Sequence, residues 1–482
     1  MALSIFFPVL IRGGYTPLSR GVFAALAGTA LFVAVARDAR GAAAAARCPA
    51  VVTLAALALI SAASAAWTVA GPQLAIRWAL VDGGYAALVI AGAVMARHRR
   101  GAVTIATAVA AIAALEAIAG LVWGARLEEP YALRIGGSWR PAGTFEYPPA
   151  LALLQVSALP VLLVAMVRDR TRLAVPAAGA AGAAGAVLAL SSSRAQVALA
   201  VLVLAAAIVW PTRTTQSARG LVAAAAGLIL AAGAAAYAVA GGYVPPHASG
   251  GDEGRLLGLG ATIFLASALW WLVRRLAARP TASPLRRLLR PSRLAVRPPK
   301  AVVWAVGVVL VMGTIAAFAL IASSAPGGAR GVEPAGGIGH GRMHIWSAAA
   351  ETALERPVAG AGAEAFLAAS AEHQGRSRTR YAHNLPLDLA VELGLVGLLL
   401  CLALYAAAAA ALWRARLSPA AWLLGPAVIA FLLTNLIDWP WHLAGAGAIW
   451  AASLGGVIGA SATDPPEGAR SATEPEPHAL RD

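Results

Sequence analysis

Leu385 to Leu412 reads LPLDLAVELGLVGLLLCLALYAAAAAAL, an apolar run interrupted only by Asp388 and Glu392 near its start. A helix needs about 20 such residues to cross the hydrocarbon of a bilayer, so the run predicts a membrane span. Arg414 and Arg416 follow it, then two further apolar runs at 419–437 and 441–460. Toward the N-terminus the same pattern recurs at 21–36, 49–68, 76–96, 102–123, 145–167, 173–190, 195–210, 220–240, 256–273 and 301–322. These runs are too long and too uniformly apolar for barrel strands. The chain therefore reads as an all-α polytopic integral membrane protein with about 12–14 transmembrane helices. Its composition agrees: 60% of residues are hydrophobic and 12% charged, where soluble domains carry about 25% charge.

The net charge of +16 would suit a nucleic-acid partner, but the distribution of arginines excludes that reading. Lys300 is the only lysine, and the basic residues cluster between apolar runs: Arg37/Arg40/Arg47, Arg97/Arg99/Arg100, Arg168/Arg170/Arg172, Arg213/Arg219, the stretch 274–300 and Arg414/Arg416. They fall in every second loop, as cytoplasmic loops do under the positive-inside rule. That register places the N-terminus outside and the C-terminus inside, shifting by one span if Leu3–Ile11 dips into the membrane. No small-residue cleavage site follows that stretch, so no removable signal peptide is expected. Residues 1–460 form one transmembrane domain, 274–300 a basic cytoplasmic linker facing anionic lipid, and 461–482 a disordered cytoplasmic tail. Cys48 and Cys401 stand in neither a disulfide framework nor a zinc spacing.

The one long segment on the outer side is 323–384. Arg342 to Glu355 has helical character, Arg356-Pro357 ends it, and Gly360-Ala361-Gly362 turns the chain into a second short helix through Ala371, a helical hairpin on the membrane surface. Arg376, Arg378, Arg380 and Tyr381 precede His383-Asn384, where the chain re-enters the bilayer.

Ionisable residues within membrane spans are costly and mark function by default. Asp82, Glu116, Glu146, Arg194, Asp388 and Glu392 all fall within about two turns of an outer helix end. Arg194 ends the polar interruption Ser191-Ser192-Ser193; it either snorkels to lipid headgroups or points its guanidinium into a cavity where it matches phosphate oxygens. His383 is either a headgroup-facing histidine or a neutral base for a substrate hydroxyl. Asp82 and Glu116 read equally as proton-relay groups or as counter-ions to Arg77 and Arg194. His340 and His344 have helical ligand spacing, but no glutamate completes a His-Glu-x-x-His motif, and no metal or other cofactor is expected.

On these residues the chain resembles the O-antigen ligase/O-antigen polymerase superfamily of bacterial envelope glycosyltransferases. Three motifs carry the likeness: Arg140-Pro-Ala-Gly-Thr-Phe145 before a span; Ser192-Ser193-Arg194-Ala195 between two helices; and Gly341-Arg342, Trp346, Pro357, Gly360-Ala-Gly362, Phe366, His383-Asn384 and Glu392-Leu-Gly394-Leu-Val-Gly397 in and after the long loop. The resemblance covers roughly residues 140–400. Where the family usually has an asparagine after Gly-Thr-Phe, this chain reads Pro148-Pro149. The resemblance implies an inverting, metal-independent transfer of a glycan from undecaprenyl diphosphate to a hydroxyl of a glycan, lipid or protein acceptor, on the outer face of the cytoplasmic (inner) membrane. His383 would be the base, and Arg194 and Arg342 would hold the diphosphate. Arg140, Arg380, Asn384 and Glu392 would contact substrate. Ligase and polymerase differ only in acceptor, and nothing in the sequence separates them. A transporter is the rival class, on the strength of Asp82 and Glu116; it predicts internal repeats, and no clear one is present.

Overall fold

The computed structural model of the chain describes residues 1–98, 100–126, 129–135, 138–167, 174–191, 193–209, 268 and 342–462, apart from 376–377. Among them the chain is a helical bundle: α1 (Ala2–Leu10), α2 (Pro17–Arg37), α3 (Ala39–Ala46), α4 (Pro49–Ala63), α5 (Pro72–Ala96), α6 (Gly101–Arg126), α7 (Pro148–Val167), α8 (Ala174–Leu190), α9 (Arg194–Val209), α10 (Arg342–Glu355), α11 (Leu385–Arg414), α12 (Pro419–Thr434) and α13 (Ala444–Ser461). Two strands, β1 (Ala132–Ile135) and β2 (Ser138–Pro141), pair as an antiparallel hairpin between α6 and α7. Seven helices are long and apolar enough to cross a membrane, and three shorter apolar ones accompany them. These ten coincide with the ten expected spans that fall on described residues. The spans at 220–240, 256–273 and 301–322, the linker 274–300 and the tail beyond Ala462 lie outside the described residues.

Helix starts follow local chemistry. Proline stands at the first turn of α2, α4, α5, α11 and α12, where its missing N–H costs nothing. Side chains of Thr16, Asn384 and Ser418 accept the free N–H groups at the starts of α2, α11 and α12. The centre of the bundle is α5 packed on α2, α4 and α13; Gly455 and Gly459 of α13 lie directly against the backbone of Val89 and Ala93. Small residues at such crossings let helix backbones approach in the absence of a hydrophobic drive between spans.

Two features depart from the sequence expectation. The first apolar stretch is a separate helix, α1, nine residues long and therefore about 14 Å at the usual rise, half a bilayer. Ser4 donates to Leu26 O at 2.9 Å midway along α2, and Val9 lies against Gly445 at the start of α13.

The second concerns α11. Thirty residues of straight helix would run about 45 Å against a core of about 30 Å. Gly394 breaks it with φ 64° and ψ −152°. The carbonyls freed by the break are taken up by the loop after α10: Ala361 N donates to Val391 O at 2.9 Å, Gly362 N to Glu392 O at 2.7 Å, and Leu395 N returns a bond to Pro357 O at 2.7 Å. The two glycine motifs after α10 and within α11 thus dock backbone to backbone. A Cβ at Gly394 would strike Val358 O, and one at Gly360 would strike the backbone of Glu392. Asp388 and Glu392 belong to the half-helix before the break, within a helix that as a whole is long and apolar enough to cross a membrane.

Candidate active site

The half-helix 385–393, the last loop of the bundle and the turn before α7 meet at one end. Leu385 N donates to Asn435 O at 2.7 Å, and Asn384 Nδ2 donates to Leu436 O at 2.9 Å. Asp438, in the short connection between α12 and α13, lies beneath His383, with Nδ1 and Oδ1 3.1 Å apart. The same Oδ1 accepts the Tyr147 hydroxyl at 2.6 Å and the Trp439 N–H at 2.9 Å. A carboxylate only accepts, so in the neutral imidazole the Asp438 contact places the proton on Nδ1 and the lone pair on Nε2. His383 itself has φ 54°, a left-handed conformation that costs a non-glycine residue stability and recurs at functional sites.

Tyr147 is buried, and burial together with Asp438 pushes its phenol well above the ordinary range, with the Arg342 charge pulling the other way. The hydroxyl therefore stays a donor. Arg342 opens α10, and Trp346 one turn later donates its indole N–H to Ala382 O at 3.0 Å, tying that helix to the residue before His383. Ala382 N in turn donates to Asp388 Oδ1 at 2.7 Å.

Of the other expected site residues, Arg194 begins α9; two residues on, Gln196 donates to Thr434 Oγ1 at 2.9 Å. Its backbone thus sits at the same end as Asn435 and Asp438. Arg140 lies on β2 opposite Leu133; burial lowers its pKa, and its buried Nε has no hydrogen-bond partner among the described residues. Arg380 is half exposed, with Nη1 3.3 Å from the Tyr15 hydroxyl and Nη2 3.6 Å from Glu364 Oε1. Asn384 and Glu392 have backbone duties. Asn384 Oδ1 caps α11 at Leu387 N, and Glu392 is buried with Oε1 accepting Phe366 N at 3.4 Å. Arg376 and His340 lie outside the described residues, and His344 is exposed on α10. Asp82 and Glu116 are buried, the first bonded to Ser61 Oγ at 3.1 Å and the second to Thr144 N at 3.0 Å and Thr144 Oγ1 at 2.8 Å.

Beside the His383–Asp438 pair lies a second charged group that the sequence reading did not single out. Arg20 of α2 is buried, with Nη1 2.7 Å from Glu364 Oε1, and its guanidinium lies 4.8 Å from the Trp78 ring. Tyr381 donates to the same oxygen at 3.3 Å and stacks on His442 with centroids 3.8 Å apart. Trp439 joins the groups, packing on Tyr147 (4.6 Å), Tyr381 (5.2 Å) and Tyr15 (5.7 Å). The arrangement combines an imidazole oriented by Asp438, with no hydrogen-bond partner on Nε2 among the described residues, a buried phenol and nearby guanidinium groups. It can take a proton from a hydroxyl while cations receive a departing anion.

Residues 250–402 match the family model described as O-antigen ligase. The match takes in α10, the loop to His383 and the break at Gly394; Arg140, Arg194 and Asp438 stand outside it. No curated protein matches the chain.

Proposed function

We propose, for a chain that belongs to the O-antigen ligase superfamily and crosses the membrane many times, that it transfers a glycan from undecaprenyl diphosphate to an acceptor hydroxyl. His383 Nε2 removes the acceptor proton as the oxygen attacks the anomeric carbon. The bond from that carbon to the diphosphate oxygen breaks on the opposite face, so the configuration inverts. The proton ends on the imidazole, where Asp438 stabilises the charge. Arg342 and Arg194 receive the charge that grows on the leaving diphosphate, which already leaves well and needs no metal on this account. Arg140, with its unpartnered buried Nε, is a further candidate for the donor's anionic end. On this reading the site opens to the extracytoplasmic side of the inner membrane, the side that the positive-inside rule gives to the loops poor in arginine.

The observation that carries this reading is the His383–Asp438 contact with Tyr147 on the same oxygen. Ion transport has less support: Asp82 and Glu116 are bonded to Ser61 and Thr144. Purified protein in nanodiscs, given an undecaprenyl-diphosphate-linked oligosaccharide and candidate acceptors, should release free lipid diphosphate and form product. His383→Ala and Arg342→Ala should do neither. Transfer by both variants at the parental rate would sink the assignment. Mass spectrometry after incubation with donor alone separates the two family activities, since a polymerase elongates without an added anchor.

A further inference from the structure

We propose that Arg12, Tyr15, Glu146 and Arg380 form a subsite for a neutral sugar ring of the acceptor, beside His383; this rests on the transferase reading above. Arg12 and Glu146 meet through two hydrogen bonds, Nε to Oε1 at 2.6 Å and Nη2 to Oε2 at 2.8 Å. The arginine is 57% exposed. Both residues are left-handed, with φ 52° and 55°. An exposed ion pair returns little stability, less than two left-handed residues cost, so stability does not account for the pair.

Strain of this kind is confined to one place. Among the described residues the non-glycine positions with positive φ are Arg12, Glu146, Glu364 and His383. Arg12 and Glu146 bond each other, Glu364 holds Arg20 and Tyr381, and His383 holds Asp438. Glu146 is followed directly by Tyr147, whose hydroxyl donates to Asp438, so the pair stands next in the chain to a residue that holds the partner of His383. Tyr15 closes the other side, its ring edge-on to Trp439 at 64° and its hydroxyl 3.3 Å from Arg380.

The chemistry selects the ligand. Arg12 and Glu146 neutralise each other and so have no preference for the diphosphate. Held in a fixed plane, their remaining N–H groups and carboxylate lone pairs offer neighbouring donors and acceptors for sugar hydroxyls, and the Tyr15 hydroxyl adds a further polar group at the rim. A rim of this kind next to a hydroxyl-activating histidine orients the acceptor ring so that one oxygen reaches Nε2.

The test uses full-length protein in nanodiscs, a saturating undecaprenyl-diphosphate-linked oligosaccharide and a panel of neutral oligosaccharide acceptors. Arg12→Ala and Tyr15→Ala should each raise the acceptor KM by about 10–100-fold, the loss of a hydrogen bond to a charged group or of its partner, with kcat and donor KM little changed. Unchanged acceptor KM in both variants, or a fall confined to kcat, overturns the subsite. If the parent protein transfers nothing, the function proposed above fails, and the subsite is judged by saturation-transfer NMR with the same oligosaccharides. Signals lost in Tyr15→Ala support it, and signals absent from the parent or unchanged in the variant overturn it.

Discussion

His383 Nδ1 stands 3.1 Å from Asp438 Oδ1, joining two loops 55 residues apart in the chain. In the neutral ring the contact places the proton on Nδ1 and the lone pair on Nε2, and Asp438 supplies the counter-charge of the protonated ring. His383→Ala should lower kcat on the order of 10²–10⁴-fold, the usual worth of a general base. Asp438→Asn should lose much of the same factor, and the double variant should be no worse than His383→Ala alone, because the two act as a unit. Single-turnover rates with lipid-diphosphate donor measure this; additive losses would separate the residues.

Arg342→Ala should cost about 2–4 kcal/mol of transition-state stabilisation, seen in kcat rather than donor KM. Arg342→Lys should recover part of it, since an ammonium keeps the charge but not the planar fork. Full recovery by lysine would mean that charge alone matters at this position.

The spans were legible because apolar runs alternate with arginine clusters, and both signals survive without any tertiary knowledge. Arg342 and His383 were singled out through motif spacing. Asp438 was hidden in a connection of a few residues between two spans, although the density of polar and aromatic groups in Asn435 to His442 was a usable signal. Arg12 and Arg20 sit at the edge of the first span, where arginine looks like a boundary marker. The break at Gly394 was invisible because leucine and valine flank it on both sides. Hydrophobicity does not register a change of backbone direction, and only the backbone bonds to 357–362 reveal it.

Gly394→Ala should destabilise the protein by about 1–3 kcal/mol, since alanine is strained at φ 64° and its Cβ meets Val358 O. Gly28→Ala in α2, where a Cβ meets nothing within 4 Å, should be neutral or slightly stabilising. Thermal unfolding in detergent compares the two, and equal midpoints would argue against a locked break.

Arg20 and Glu364 form a buried pair, 6% and 1% exposed. Removing one partner, as in Arg20→Met or Glu364→Leu, should cost about 3–5 kcal/mol by stranding the other charge, whereas the double replacement should cost much less. The same unfolding assay reads it; singles no worse than the double would show the pair to be solvated.

The docking of 357–362 onto the broken end of α11 also bears on biogenesis. The carbonyls of Val391 and Glu392 find their donors only when the loop after α10 has arrived on the same face of the bilayer. Helix α11 can be threaded into the membrane as a plain hydrophobic segment, but its first third acquires its final direction only when 357–362 has docked on it. His383 stands just ahead of that third, so its place opposite Asp438 depends on that docking as well.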